Sequence, residues 1–76
     1  MSGLIHKFGK NAIEEVRVSL TEYKGHELMD FRVYYCPSDG EPVPTKKGLT
    51  MSVELYANLR DAILKLGEEL EKQVQS

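Results

Sequence analysis

Glu15-Val16-Arg17-Val18-Ser19-Leu20-Thr21, then Tyr23-Lys24-Gly25-His26, then Glu27-Leu28-Met29-Asp30-Phe31-Arg32-Val33-Tyr34-Tyr35: this stretch decides the fold. Val16, Val18 and Leu20 alternate strictly with Arg17, Ser19 and Thr21, the period-two pattern of a half-buried strand. Met29, Phe31 and Val33 share one face of a second strand, and Leu28, Asp30, Arg32 and Tyr34 share the other. Apolar residues on both faces of that second strand imply that both are partly covered. Tyr23-Lys24-Gly25-His26 between them is a turn centred on Gly25.

Outward from this pair, residues 1–12 contain Gly3, Gly9 and Asn11 with no clear periodicity, and are expected to form a flexible N-terminal arm ahead of a single domain over 13–76. On the other side, Cys36-Pro37-Ser38-Asp39-Gly40 reads as a turn, because Asp-Gly favours hairpins. Glu41-Pro42-Val43-Pro44-Thr45 is expected as an edge strand, since two prolines of one parity remove ladder donors on one side. Lys46-Lys47-Gly48 then reads as a basic turn and Leu49-Thr50-Met51 as a short last strand. Ser52 is a good helix N-cap, with Glu54 in the first turn. A helix is predicted over 53–74, with Tyr56, Leu59, Ile63, Leu66 and Leu70 recurring every three or four residues.

That helix would be about 33 Å long at ~1.5 Å per residue, whereas a five-residue strand spans only ~17 Å. The C-terminal part of the seam therefore overhangs its own sheet. A second copy of the helix is the simplest cover, and Leu59, Ile63, Leu66 and Leu70 are the candidate dimer interface. The expected fold class is α+β: a four-stranded antiparallel sheet followed by one long C-terminal helix (ββββα), homodimeric. A chain of 76 residues buries only a modest core alone, which favours the same conclusion.

Much chemistry finds no support in these residues. The histidines His6 and His26 and the lone Cys36 have no zinc-site spacing. The glycines form no phosphate loop, and no nucleophile motif surrounds any serine. The adjacent acids Glu14-Glu15 and Glu68-Glu69 point apart on a strand or a helix and make no acid–base dyad. No enzyme activity, metal or cofactor is expected. A single cysteine fits a reducing compartment, and no signal peptide or membrane span is read from the N-terminus. The net charge of −2 and pI of about 5.6 argue against a nucleic-acid partner. The excess acid lies in residues 53–76, however, where five acidic side chains face three basic ones, while residues 1–52 carry seven of each.

Basic and aromatic side chains interleave near the turns: Lys10, Arg17, Tyr23, Lys24, His26, Arg32, Tyr34, Tyr35, Lys46 and Lys47. Cations can track phosphates while flat side chains stack on unpaired bases, which is the chemistry of single-strand binding.

From Phe8 to about Leu59 the sequence resembles the C-terminal domain of the transcriptional coactivator called positive cofactor four. The resemblance lies in Phe8-Gly9-Lys10; Val18-Ser19 leading to Tyr23-Lys24-Gly25; Leu28-Met29-Asp30-Phe31-Arg32 with Tyr34-Tyr35; Asp39-Gly40-Glu41; and Pro44 before Lys46-Lys47-Gly48-Leu49-Thr50. It implies a strongly curved sheet, dimerisation through the helices and binding of single-stranded DNA across the sheets. It also places the family's stacking aromatic on Tyr23, its neighbouring lysine on Lys24, and a further basic position on His26. The strand-two arginine is Arg32, a family tryptophan is replaced by Tyr35, and the basic pair is Lys46-Lys47. A family lysine has become Val43. Lys10 matches by motif, and Arg17 joins the set on strand parity alone. Arg32 and Tyr35 differ by three, so a regular strand points them to opposite faces.

The expected partner is therefore single-stranded DNA, RNA or melted duplex, bound in a sequence-tolerant way during transcription, replication, recombination or repair, with transcription or replication proteins as further partners and no membrane. The competing readings are a dimeric protein-interaction adaptor using the acidic helix face, or an RNA-binding module. The eukaryotic coactivator carries a long regulatory segment ahead of this domain, and here only about ten residues precede it. A prokaryotic or viral source is expected on that ground, with cytoplasmic or nucleoid localisation, or nuclear if eukaryotic.

Overall fold

The second and third strands run Glu14–Tyr23 (β2) and His26–Tyr35 (β3), in a computed structural model that describes residues 3–75. Only Lys24 and Gly25 separate them, and both have positive φ, 51° and 81°. Positive φ at both central residues is the type I′ geometry, whose twist matches that of the flanking strands. Gly25 meets this at no steric cost, and Lys24 accepts the left-handed region. The ladder then runs unbroken from Tyr23↔His26 to Glu14↔Tyr35.

The outer strands depart from the sequence expectation. Gly3–Gly9 is a strand, β1, antiparallel to β2, where an arm without periodicity was expected. Its alternation is hidden because the register shifts between Leu4 and His6: Leu4 pairs with Ser19, but His6 pairs with Val18. A bulge of this kind puts consecutive side chains out of period-two order. Met1, Ser2 and Ser76 lie outside the described residues.

The expected edge strand, basic turn and short last strand are one strand, Val43–Ser52 (β4). Tyr34 pairs with Pro44 and Arg32 with Gly48, so Thr45, Lys46 and Lys47 face the single residue Val33. Lys46-Lys47-Gly48 is thus a wide bulge within a strand, where its composition suggested a turn. The four strands form one antiparallel sheet in chain order, β1-β2-β3-β4.

Ser52 caps the next element as expected, its hydroxyl accepting from the Glu54 backbone N–H at 3.2 Å. The first turn, Val53–Leu55, is 3₁₀, and an α-helix, α1, covers Tyr56–Gln75.

The helix leaves the apolar sheet face largely uncovered. Val18, Leu20, Met29 and Phe31 from the sheet and Tyr56, Leu59, Ile63 and Leu64 from the helix line an open apolar groove of about 420 Å³. Met29, at 7% exposure, is the one buried hydrophobic residue among those described. Ile63, Leu66 and Leu70 are at least half exposed. The radius of gyration is 14.9 Å, against about 11 Å for a compact chain of this length. A single copy has an apolar face but hardly an interior.

Candidate nucleic-acid interface

The sheet has a second face, turned away from the helix. Opposed residues in an antiparallel ladder share a face, so pairing defines rows across it. Lys7, Arg17, Arg32 and Gly48 form one row. Glu15 and Tyr34 form the next, and Ser19, Asp30 and Thr50 lie on the other side.

Each arginine in the central row is held by an acid two residues earlier on its own strand, because i and i+2 share a face. Arg17 Nε donates to Glu15 Oε2, and its guanidinium carbon sits 4.4 Å from the centroid of the Tyr34 ring, a cation–π distance. Arg32 Nε and Nη2 donate to Asp30 at 3.3 and 3.0 Å, and Nη1 donates to the Thr45 carbonyl at 3.1 Å. Thr50 Oγ1 closes the cluster by donating to Asp30 Oδ1 at 2.8 Å.

The Arg32 fork also organises the bulge. Besides accepting from Arg32, Thr45 donates from Oγ1 to the Val33 carbonyl at 2.7 Å, and Lys47 N donates to Thr45 Oγ1 at 3.2 Å. Gly48 leaves room for the guanidinium: a Cβ there would lie 3.1 Å from Arg32 Cζ and 2.5 Å from the Phe31 carbonyl oxygen. Arg32 is thus a brace beneath Lys46 and Lys47, with its donors already committed.

These pairings move the carboxylates. Burial pushes Asp30 up, but hydrogen bonds from Arg32 and Thr50 and the Arg32 charge outweigh it and leave it below the usual range. Hydrogen bonding to Asp30 raises Arg32. The Arg17 hydrogen bond lowers Glu15. Burial, then the neighbouring Glu15, pushes the Cys36 thiol up, away from the reactive thiolate.

The remaining predicted residues fall at the two ends of the β2–β3 hairpin, about 30 Å apart at ~3.3 Å per residue. At the tip, Tyr23 is 62% exposed, with Lys24 Nζ 5.3 Å from its ring centroid and His26 paired opposite. At the far end, Lys10 and Lys47 approach Glu14 at 3.1 and 3.8 Å, and Asn11 and Lys10 hydrogen bonds hold that carboxyl low. Lys46 is exposed nearby. Tyr35 pairs with Glu14 and Val43 and is 42% exposed. The ladder is regular through Tyr35, so it points to the opposite face from Arg32, as alternation requires.

The structure therefore divides the predicted set into a tip, a centre and a far end along one hairpin. One residue of the centre escapes a sequence reading. Lys7 lies beside Arg17, in the strand hidden by its bulge. Tyr34, one of the aromatics near the turns, lies under the Arg17 guanidinium.

Comparison with known proteins places this geometry. Residues 10–62 match the family described as Transcriptional Coactivator p15 (PC4). The RNA polymerase II transcriptional coactivator SUB1 of Saccharomyces cerevisiae is 35% identical over 72 residues, 93% of this chain but 23% of the yeast protein. The chain thus spans about a quarter of that relative's length. A crystal structure of a PC4 homolog from Burkholderia pseudomallei superimposes with a TM-score of 0.78 at 28% identity, covering 88% of this chain and 98% of that one. A bacteriophage T5 homolog of the eukaryotic coactivator PC4, implicated in recombination-dependent DNA replication, gives a TM-score of 0.74 at 26% identity, covering 97% of this chain and 88% of that one. Among the described residues no helix is long and apolar enough to cross a membrane.

Proposed function

The chain belongs to the PC4 family of transcriptional coactivators, and from that premise we propose that it is a non-enzymatic, sequence-tolerant single-stranded DNA-binding protein that works as a homodimer. The observation that carries the reading is the helix-free sheet face. It bears Tyr23 and Lys24 at the hairpin tip and Arg17 over Tyr34 at the centre, and Lys10, Lys46 and Lys47 lie at the far end of the sheet. Such a surface offers stacking to unpaired bases and charge to phosphates. None of these side chains is an Asn or Gln placed to read base edges, so homopolymers should bind within about tenfold of one another.

The dimer follows from the other face. An exposed helix seam and a single buried residue leave an apolar surface that a second copy would cover, with Leu59, Ile63, Leu66 and Leu70 at the contact. The relatives' settings, transcription in yeast and recombination-dependent replication in the phage, both supply single strands for such a protein.

The test is a titration of labelled oligo-dT and an equal-length duplex at low and high salt. The reading expects tighter binding of the single strand, weakening as salt rises. Equal or no binding of both would reject it. Preference for an RNA strand of matched sequence would instead move the ligand to RNA.

A further inference from the structure

Lys7, Arg17 and Tyr34 lie together on the helix-free face, and no motif of the sequence joins them. Arg17 is 21% exposed, clamped through Nε by Glu15 and laid over the Tyr34 ring. Its other guanidinium nitrogens have no hydrogen-bond partner among the described residues. Arg32, one strand across, differs: its fork is spent on Asp30, Thr45 and Thr50. Lys7, opposite Arg17 on the other side, has no ion-pair partner among the described residues, and its side chain extends from a neighbouring strand about 5 Å away.

From this arrangement we propose a one-nucleotide subsite at the centre of the sheet, in which the Arg17 guanidinium takes a nucleobase flat against its outer side and Lys7 takes an adjacent phosphate. The inference rests on the single-strand reading above and assigns it a central contact. Charge decides between base and phosphate at Arg17. The Glu15 carboxylate already offsets the guanidinium charge, so an incoming phosphate would meet a like charge at the same spot. A neutral base meets only a plane that Tyr34 and Glu15 hold rigid, and bases stack on guanidinium planes as they do on aromatic rings. Lys7 feels the Glu15 charge only at longer range, with no ion pair among the described residues, and suits the phosphate. Because every base has a stacking face, the subsite accepts any base.

The experiment compares Arg17→Lys, Lys7→Ala and the parent on oligo-dT and on a base-free deoxyribose-phosphate strand of equal length, across a salt series, after circular dichroism has established that each variant is folded. Arg17→Lys keeps the charge and loses the plane. It should weaken oligo-dT binding by about five- to 150-fold with the salt slope unchanged, and should match the parent on the base-free strand. Lys7→Ala should lower the slope by about 0.7 on both strands. If Arg17→Lys binds oligo-dT like the parent, or loses equally on the base-free strand, Arg17 holds no base. If Lys7→Ala keeps the full slope, Lys7 holds no phosphate. Either result with a parent that binds oligo-dT removes the subsite alone, whereas a parent that does not bind removes the single-strand reading with it.

Discussion

The two faces of the sheet are made by alternate residues of the same strands, yet they are in opposite states. The face toward the helix is apolar and unfinished: Val18, Leu20 and Phe31 line an open groove, and Met29 alone is buried among the described residues. The other face is electrostatically finished in water. Glu15 answers Arg17 and Asp30 answers Arg32, while at the far end of the sheet Glu14 answers Lys10 and Lys47. The first face lacks cover, which hydrophobic burial would supply. The second lacks nothing for folding and is free to take a ligand. Its internal pairing also shows how a chain of net charge −2 could carry the binding face proposed above. On the proposed reading the arginines serve as braces and planes, and lysines carry the phosphate attraction.

The sharpest way to break this contrast is to charge the unfinished face. Changing Leu66 and Leu70 together to Glu should abolish the dimer, giving a monomer or an unfolded chain in sedimentation, because no other interior compensates. A folded dimer from that variant would put the interface elsewhere. Next in size is Gly48→Ala. Its Cβ would collide with the Phe31 carbonyl and press on Arg32. A loss of about 1–3 kcal/mol in denaturant unfolding is expected, as for other overpacked sites, and a neutral result would mean that β4 yields freely around the brace.

On the finished face, stacking and charge can be separated. Tyr23→Ala should weaken oligo-dT binding by about 1–3 kcal/mol and keep the salt slope. Lys46→Ala with Lys47→Ala should flatten that slope by up to about 1.4 units, at ~0.7 per phosphate contact. A full slope in the folded double variant would leave those lysines as ordinary solvated charge.

The smallest effect concerns acid. The Asp30 carboxyl titrates below its unfolded value of about 3.9. Its contribution is therefore present above that value and is lost as pH falls through the lower, folded value. Asp30→Asn should remove this share, making unfolding less steep below about pH 4 than in the parent, with Glu14 and Glu15 supplying the remainder. An unchanged acid limb would show that the brace does not depend on the Asp30 charge.

The β2–β3 hairpin was legible because nothing interrupts its period of two and because Lys24-Gly25 suits a two-residue turn. The outer strands were not, for one shared reason: each carries a bulge. A shift at Ile5 scrambles alternation in β1, and three residues opposite Val33 make Lys46-Lys47-Gly48 resemble a turn. The site followed the same division. Tyr23 and Lys24 could be read from the hairpin and the family resemblance. Lys7 could not, since its row depends on a register that the bulge sets. Nor could the commitment of Arg32 to the bulge, which requires partners thirteen and eighteen residues away.

The claim that one face meets nucleic acid and the other a second copy is tested most directly by side-chain NMR during an oligo-dT titration. The account predicts shifts in the Tyr23 ring and in the Nε–H signals of Arg17 and Arg32, with the methyl signals of Val18, Leu59 and Ile63 unmoved. Shifts concentrated in those methyls, with the arginine and Tyr23 signals unchanged, would contradict it.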